Sequence, residues 1–418
     1  MAQKRKKIQI VIIILLFFIY FLLAARPVPR EVILAPSWIN SLSVKFSDTS
    51  EDTSKEHDIS GIAENTAVST ESNFINLSGR YPGTGSGNLQ ILPFNLGTHF
   101  GYIETSGKFI FNKNITNNIY LNPSSAKETM WTEYEAEPAS IAIKNIREET
   151  IMQIDDVRGY PVLLDDRVFI ISSDQNSLSE INKNGKVRWT YEFGAPLTCI
   201  HAKAGLLLTG SLDGIIEIFN SDGERIFYFE PDGSRYAVIL GCAISNDGSR
   251  IGIISGIDQQ RFLLLERFGN TIGDYKVVYH EYLNNGFRRP VRILFIDNDQ
   301  RIVFERTGGI GCYNIKFRRG IFIPLDGKIN SIEELGEHGY LFLVTSHGMS
   351  EKKLIGIRFP PDRWLPFSIF PETDVIFMKA PFKSNLVFLS RTRLRDNGTS
   401  MIIVGGGQTL ISFTVEEK

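Results

Sequence analysis

Six histidines, three cysteines and one run of arginines are the side chains here with chemistry to offer. Acyl transfer needs a nucleophile beside an oriented base, and zinc hydrolysis needs two histidines one helical turn apart with a glutamate. His57, His99, His201, His280, His338 and His347 are scattered, and none stands in an HExxH sequence or beside a GxSxG elbow. Cys199, Cys242 and Cys312 make no CxxC pair and no His/Cys cluster at metal-ligand spacing. Tyr81 to Asn88, YPGTGSGN, has backbone amides to offer a phosphate, yet lacks the Gly-Lys-Ser/Thr ending and opens no helix pattern, so a lead-in loop is expected. The aspartates at 174, 213, 222, 232 and 247 fall in turn sequences, where a carboxylate satisfies nearby backbone donors without a metal. No catalytic, metal or cofactor-binding residue is therefore expected, and no cofactor.

The arginines are a different matter. Arg288, Arg289, Arg292, Arg301, Arg306, Lys316, Arg318 and Arg319 crowd one region, offset by Asp297, Asp299 and Glu305. They read either as a solvated rim or as a contact face for an acidic partner or lipid headgroups, with Arg288, Arg289, Arg292, Arg318 and Arg319 as the candidate partner-binding basic face. The chain as a whole has a net charge of -2 and a pI near 6.4, which gives no general basic field and no nucleic-acid partner.

The elements that must hold these groups show themselves as a repeat. Val168 to Tyr191 (VFIISSDQNSLSEINKNGKVRWTY) lies over Leu206 to Phe229 (LLLTGSLDGIIEIFNSDGERIFYF) at an offset of 38, without a gap. Ser173 then meets Ser211, Asn182 meets Asn220, Gly185 meets Gly223 and Trp189 meets Phe227. Each copy alternates apolar strand, polar turn, strand, Gly turn and aromatic strand, which makes most of a four-stranded antiparallel blade. A strand-only period near 40 predicts a β-propeller. A hydrophilic turn running into an apolar strand recurs seven times, marked by Phe109, Val168, Leu206, Ile251, Ile302, Leu341 and Val387. All-β, with seven blades, is the expectation; eight is the alternative, because the long first gap (KETMWTEYEAEPASIAIKNIREETIMQI) holds either an insertion or one more blade. Phe74 to Leu77 and Leu89 to Phe94 are the expected partners for closing the ring, which removes unpaired sheet edges.

Residues 1–7 form a basic tail and 8–25 an uncharged run of 18 residues, IQIVIIILLFFIYFLLAA, just long enough at about 27 Å to cross a hydrocarbon core. The basic residues before the run outnumber those after it. A single-pass signal-anchor is expected, amino terminus in the cytoplasm and the remainder periplasmic or extracellular; a cleaved signal peptide is the rival, on the same side of the membrane. Residues 26–72 read as a flexible linker, whose 47–72 portion carries seven acids against one base, and 73–418 as the propeller. Cys199 and Cys242 are expected on the innermost strands of adjacent blades as free thiols, a disulfide being the alternative.

The stretches GSLDGIIEIFNSDGERIF (Gly210 to Phe227) and INKNGKVRW (Ile181 to Trp189) resemble the repeat of pyrroloquinoline-quinone-type and WD-type propellers, in particular the periplasmic propellers that help assemble outer-membrane proteins. That resemblance implies envelope proteins as partners, met through blade rims or a ring face. Quinone-dependent members of this group carry adjacent cysteines and a tryptophan docking motif in nearly every blade, whereas this chain has no Cys-Cys and only Trp189 in that position. The expected function is a non-catalytic, membrane-anchored scaffold for protein–protein interaction in the cell envelope. The alternative is a small-ligand receptor, or a hydrolase or lyase, using the central funnel.

Overall fold

The computed structural model describes residues 12–18, 32–42, 75–76, 91–96, 98–121, 129–269, 273–284, 286–335, 340–347, 351–359, 374–379, 386–393, 400–406 and 409–417. The basic tail 1–7, the acidic stretch 47–72 and the glycine-rich 81–88 lie outside them. Ile12 to Phe18 are helical and exposed; among the described residues no helix is long and apolar enough to cross a membrane.

Everything else that is regular among the described residues is antiparallel strand, gathered into eight sheets. Blades two to seven have four strands each and span Asn118–Asp155, Gly159–Glu192, Leu197–Phe229, Ile239–Tyr282, Ile293–Pro324 and Lys328–Lys379. The first blade has three described strands, Ile91–Leu96, His99–Glu104 and Phe109–Asn114. The eighth is built from Leu386–Arg393, Ser400–Gly406, Thr409–Glu417 and, as its fourth strand, Val32–Ser41, with Ile75–Asn76 on the outer edge. The fold is thus all-β with eight blades, one more than the seven markers. Val168, Leu206, Ile251, Ile302 and Leu341 stand on second strands, but Phe109 is on a third strand and Val387 on a first. The uncounted blade fills the long gap. Its second strand, Met130–Tyr134, offers only Met130, Trp131 and Thr132 before Glu133 and so lacks the apolar run used to count.

Closure differs from expectation as well. Val32–Ser41, inside the stretch expected as linker, pairs from Val32↔Glu417 to Ser41↔Thr409 and so joins both ends of the chain in one sheet. Pro36 argues against a strand in the sequence, but the register slips between Pro36 and Trp38, where a bulge needs no amide hydrogen. This strand also reaches the first blade: Trp38 Nε1 donates to the Thr105 carbonyl (3.1 Å), Asn40 Nδ2 to that of Gly107 (2.7 Å), and Asn112 Nδ2 to that of Leu42 (3.0 Å).

Because each blade buries both faces, the core is a set of layers between blades. One layer sets Trp38, Leu42, Ile403 and Leu410 of the eighth blade against Leu92, Phe94, Leu96 and Ile103 of the first. The next sets Phe100, Tyr102 and Phe111 against Trp131. Between the third and fourth blades, Trp189 stacks on Phe219 (6.2 Å, 20°) and donates through Nε1 to Glu180 (2.6 Å), which Arg167 also holds through Nε (3.1 Å) and Nη2 (2.6 Å). Gly223 lies beneath that indole: a Cβ there would sit 2.4 Å from Trp189 Cγ, and its φ of +80° suits glycine alone.

The repeat holds with a one-residue step. Asn182 and Asn220 open identical turns closed by Gly185 and Gly223, at the offset of 38. The second strands match at 39, since Val168 pairs with Ile181 and Leu207 with Phe219. Ser172, not Ser173, is therefore the counterpart of Ser211: each hydroxyl donates to the aspartate two residues on, Asp174 and Asp213.

Candidate functional site

A propeller offers three places for function: its central funnel, its two faces and the clefts between blades. The innermost strands of blades one to six carry no aspartate or glutamate. Among the described residues no three His, Cys, Asp or Glu come together as metal ligands. Two unusual groups do stand there. Cys199 and Cys242 lie on the neighbouring innermost strands Leu197–Lys203 and Ile239–Ile244 as free thiols in one apolar layer, and the Cys242 thiol is pushed well up by its hydrogen bond with Cys199 and by burial. His201, between them in the chain, accepts a hydrogen bond at Nδ1 from the Ile244 amide (3.3 Å).

Burial, with Lys203 nearby, lowers the His201 pKa from 6.5 to about 4. The unfolded ring takes a proton below its ordinary pKa of about 6.5, while the folded ring refuses it down to about 4. The folded state is therefore fully favoured above that window and loses up to about 3 kcal/mol as pH falls through it. The His201 ring resonance should show no titration above pH 5, and the acid-side loss of urea resistance should shrink in His201→Asn. An imidazole titrating near its ordinary pKa would refute this placement.

The two faces differ. Turns between second and third strands, and connections from blade to blade, form the front; turns between first and second, and third and fourth, form the back. On the front, Leu212 (50% exposed), Tyr236 (60%) and Tyr282 (53%) project from the fourth and fifth blades. Arg261 lies over the Tyr282 ring at 5.6 Å, and Arg235 and Arg288 are exposed in the adjoining connections. The connections interlock: the Ile257 amide donates to the Tyr236 carbonyl (3.2 Å), and Ser234 Oγ bonds to Asp258.

The arginines expected as one basic face divide between the two. Arg288, Arg289 and Arg292 precede the innermost strand of the sixth blade, on the front; Arg318 precedes its outermost strand and Arg319 opens it, on the back. They are also unequal. Arg289 clasps the buried Glu305 with both Nη atoms (3.0 and 2.5 Å), and Arg292 donates to the Asn330 carbonyl, which ties the sixth blade to the seventh. Arg301 and Arg306 pair with Asp297 and Glu281.

On the back, a cleft of about 420 Å³ opens between the fifth and sixth blades. Leu264, Val278, Tyr313 and Ile315 give it apolar walls, and Arg250, Glu266, Asp299, Lys316 and Arg318 the charges. Asp297, Asn298 and Asp299 are three successive left-handed residues, with φ of 55°, 49° and 63°. The turn is held in this uncommon conformation by Asn246, whose backbone amide (2.8 Å) and Nδ2 (2.9 Å) both donate to the buried Asp299 carboxylate. Burial raises the pKa of that carboxyl against the pull of those donors. Arg250 Nε is taken by Glu266 at 2.9 Å. The cleft has no short motif behind it: its walls come from residues 250 to 318 and meet only when two blades pack.

Eight antiparallel sheets, closed by a shared strand and packed face to face around an axis, define a β-propeller. The chain belongs to a family whose model, described as "beta-propeller protein", matches residues 1–393. It is 28% identical over 239 residues to an uncharacterized protein of Treponema pallidum (strain Nichols), a match that takes in 57% of this chain and 60% of that relative. Among solved structures it is similar to Saccharomyces cerevisiae Sqt1, with a TM-score of 0.53 at 10% identity over 78% of this chain and 93% of that one. BamB from Moraxella catarrhalis gives 0.48 at 11% identity, over 78% and 96%. At 10% identity the likeness to Sqt1 shows the fold alone.

Proposed function

We propose that this propeller is a non-catalytic scaffold, anchored through residues 8–25 and placed outside the cytoplasm, that binds protein partners of the cell envelope with its front face. Kinship with the pyrroloquinoline-quinone-type and WD-type repeats is part of the same reading and is supported by the matching Asn-to-Gly turns of the third and fourth blades. One observation carries it: Leu212, Tyr236 and Tyr282 stand exposed on the front of adjacent blades, in company with Arg235, Arg261 and Arg288. Tyrosine and arginine are the residues that dominate interface energetics, since each supplies a large contact area with a polar end. Asp213, Glu230, Asp232 and Asp258 stand exposed among these arginines, so the face offers charges of both signs to a partner.

A photo-crosslinking residue at position 236, in the native membrane, should capture a discrete partner. The same residue at Phe322, exposed at 46% on the outer strand of the sixth blade, should not. Adding Tyr282→Glu should suppress the capture at 236 by at least tenfold. Equal labelling from both positions, or none from 236, would count against the scaffold reading.

A further inference from the structure

The back cleft between the fifth and sixth blades is independent of the front face and is built differently. Its acids are already engaged, Glu266 with Arg250 and Asp299 with two donors of Asn246. Arg318 is exposed and makes no hydrogen bond or ion pair among the described residues. It lines the cleft from a backbone with a left-handed φ of 53°, uncommon outside glycine. Lys316 lies on the same rim, against the ring of the half-exposed Phe317. Below this cationic rim the walls turn apolar: Leu264 is buried, Tyr313 is buried and stacked on Tyr279 at 4.0 Å, and Val278 is 41% exposed at the mouth. A volume of about 420 Å³ lies within the range of small-molecule sites.

We propose that this cleft binds an amphipathic anion, its carboxylate or phosphate head on Arg318 and Lys316 and its apolar stem along Leu264, Val278 and Ile315. The rigid parts are in place before binding, because the turn 297–299 is fixed from the fifth blade by Asn246 and the aromatic wall by the Tyr279–Tyr313 stack. Polar rim and apolar wall together separate this ligand class from two neighbours: a bare inorganic anion would leave the walls unused, and a neutral alkyl chain would leave the rim unused. The head and stem can belong to a free acid or to an anionic lipid.

The test uses the folded chain with octanoate, octanamide and octylammonium as probes, followed by calorimetry or by Tyr fluorescence. Octanoate should bind at least tenfold more tightly than octanamide, octylammonium should not bind, and raising the salt should weaken octanoate. Arg318→Gln should reduce octanoate affinity at least fivefold with an unchanged melting temperature, as befits an exposed side chain. Narrowing the cleft with Val278→Trp should abolish binding by the second criterion, shape. Phosphatidylglycerol vesicles form the other arm: Arg318-dependent sedimentation with them, and not with phosphatidylcholine, identifies a lipid source, while octanoate binding without sedimentation identifies a free acid. Equal affinity for octanoate and octanamide, or octanoate binding indifferent to both substitutions, overturns the proposal, as does no octanoate binding to folded protein at millimolar concentration. None of these outcomes touches the crosslink at position 236, so the scaffold reading stands or falls separately.

Discussion

A chain beginning at residue 43 should fail to form a closed ring. Nine positions of Thr409–Glu417 lose their partner strand, and the buried Trp38 and Leu42 leave Leu92, Phe94 and Ile103 uncovered. The bonds from Trp38 and Asn40 to the first blade go with them. Burying one tryptophan and one leucine is worth about 4–6 kcal/mol, and the strand hydrogen bonds add to it. A typical domain has only about 5–15 kcal/mol in total. The measurement is soluble yield and monomer fraction by size exclusion, with the melting temperature of whatever remains. Most of the product should aggregate through the bare strand edge, and a synthetic peptide of residues 30–42 should recover part of the monomer by adding itself as a strand. A truncated monomer as heat-resistant as the full chain would show that Val32–Ser41 does not close the ring.

The second large effect lies between the first two blades. Trp131 is fully buried, its ring 5.4 Å from Phe100 and 5.3 Å from Phe111, with its Nε1 donating to the Asn145 carbonyl at 2.9 Å. Lys113 and Lys144 lie over the indole at 5.5 and 5.1 Å. Trp131→Ala should cost about 3–5 kcal/mol, because a cavity opens where two sheets meet. Trp131→Phe should retain the aromatic contacts and lose the hydrogen bond and part of the volume, for about 1–2 kcal/mol. Urea unfolding followed by near-ultraviolet circular dichroism should rank the chains wild type, Phe, Ala. If alanine costs less than 1 kcal/mol, this blade is not packed as described.

The strand period and the turns closed by Gly185 and Gly223 were legible in the sequence because each turn is encoded within five residues: an asparagine side chain that accepts from the backbone ahead of it, then a glycine at positive φ. The second blade was ambiguous for a local reason as well, since Thr132 and Glu133 interrupt the apolar run that marks other second strands. Closure is another kind of problem. Nothing near Val32 announces a partner at Glu417, and Pro36 argues against any strand unless its bulge is known. The arginines show the same limit at the level of the site. Arg292 enters an inner strand and Arg319 an outer one that runs the opposite way, so neighbours in sequence end on opposite faces. Composition gives the number of charges; only strand direction gives their side.

The acidic stretch 47–72 has the composition of a spacer, but the described strands on either side of it, Val32–Ser41 and Ile75–Asn76, both belong to the sheet of the eighth blade and pair with each other. On our reading of residues 8–25 as an anchor, only residues 26–31 separate the bilayer from the outermost long strand of the eighth blade, a reach of at most about 20 Å. The ring is then tethered at its eighth blade, close to the bilayer. A cut anywhere in the acidic stretch would leave it moored.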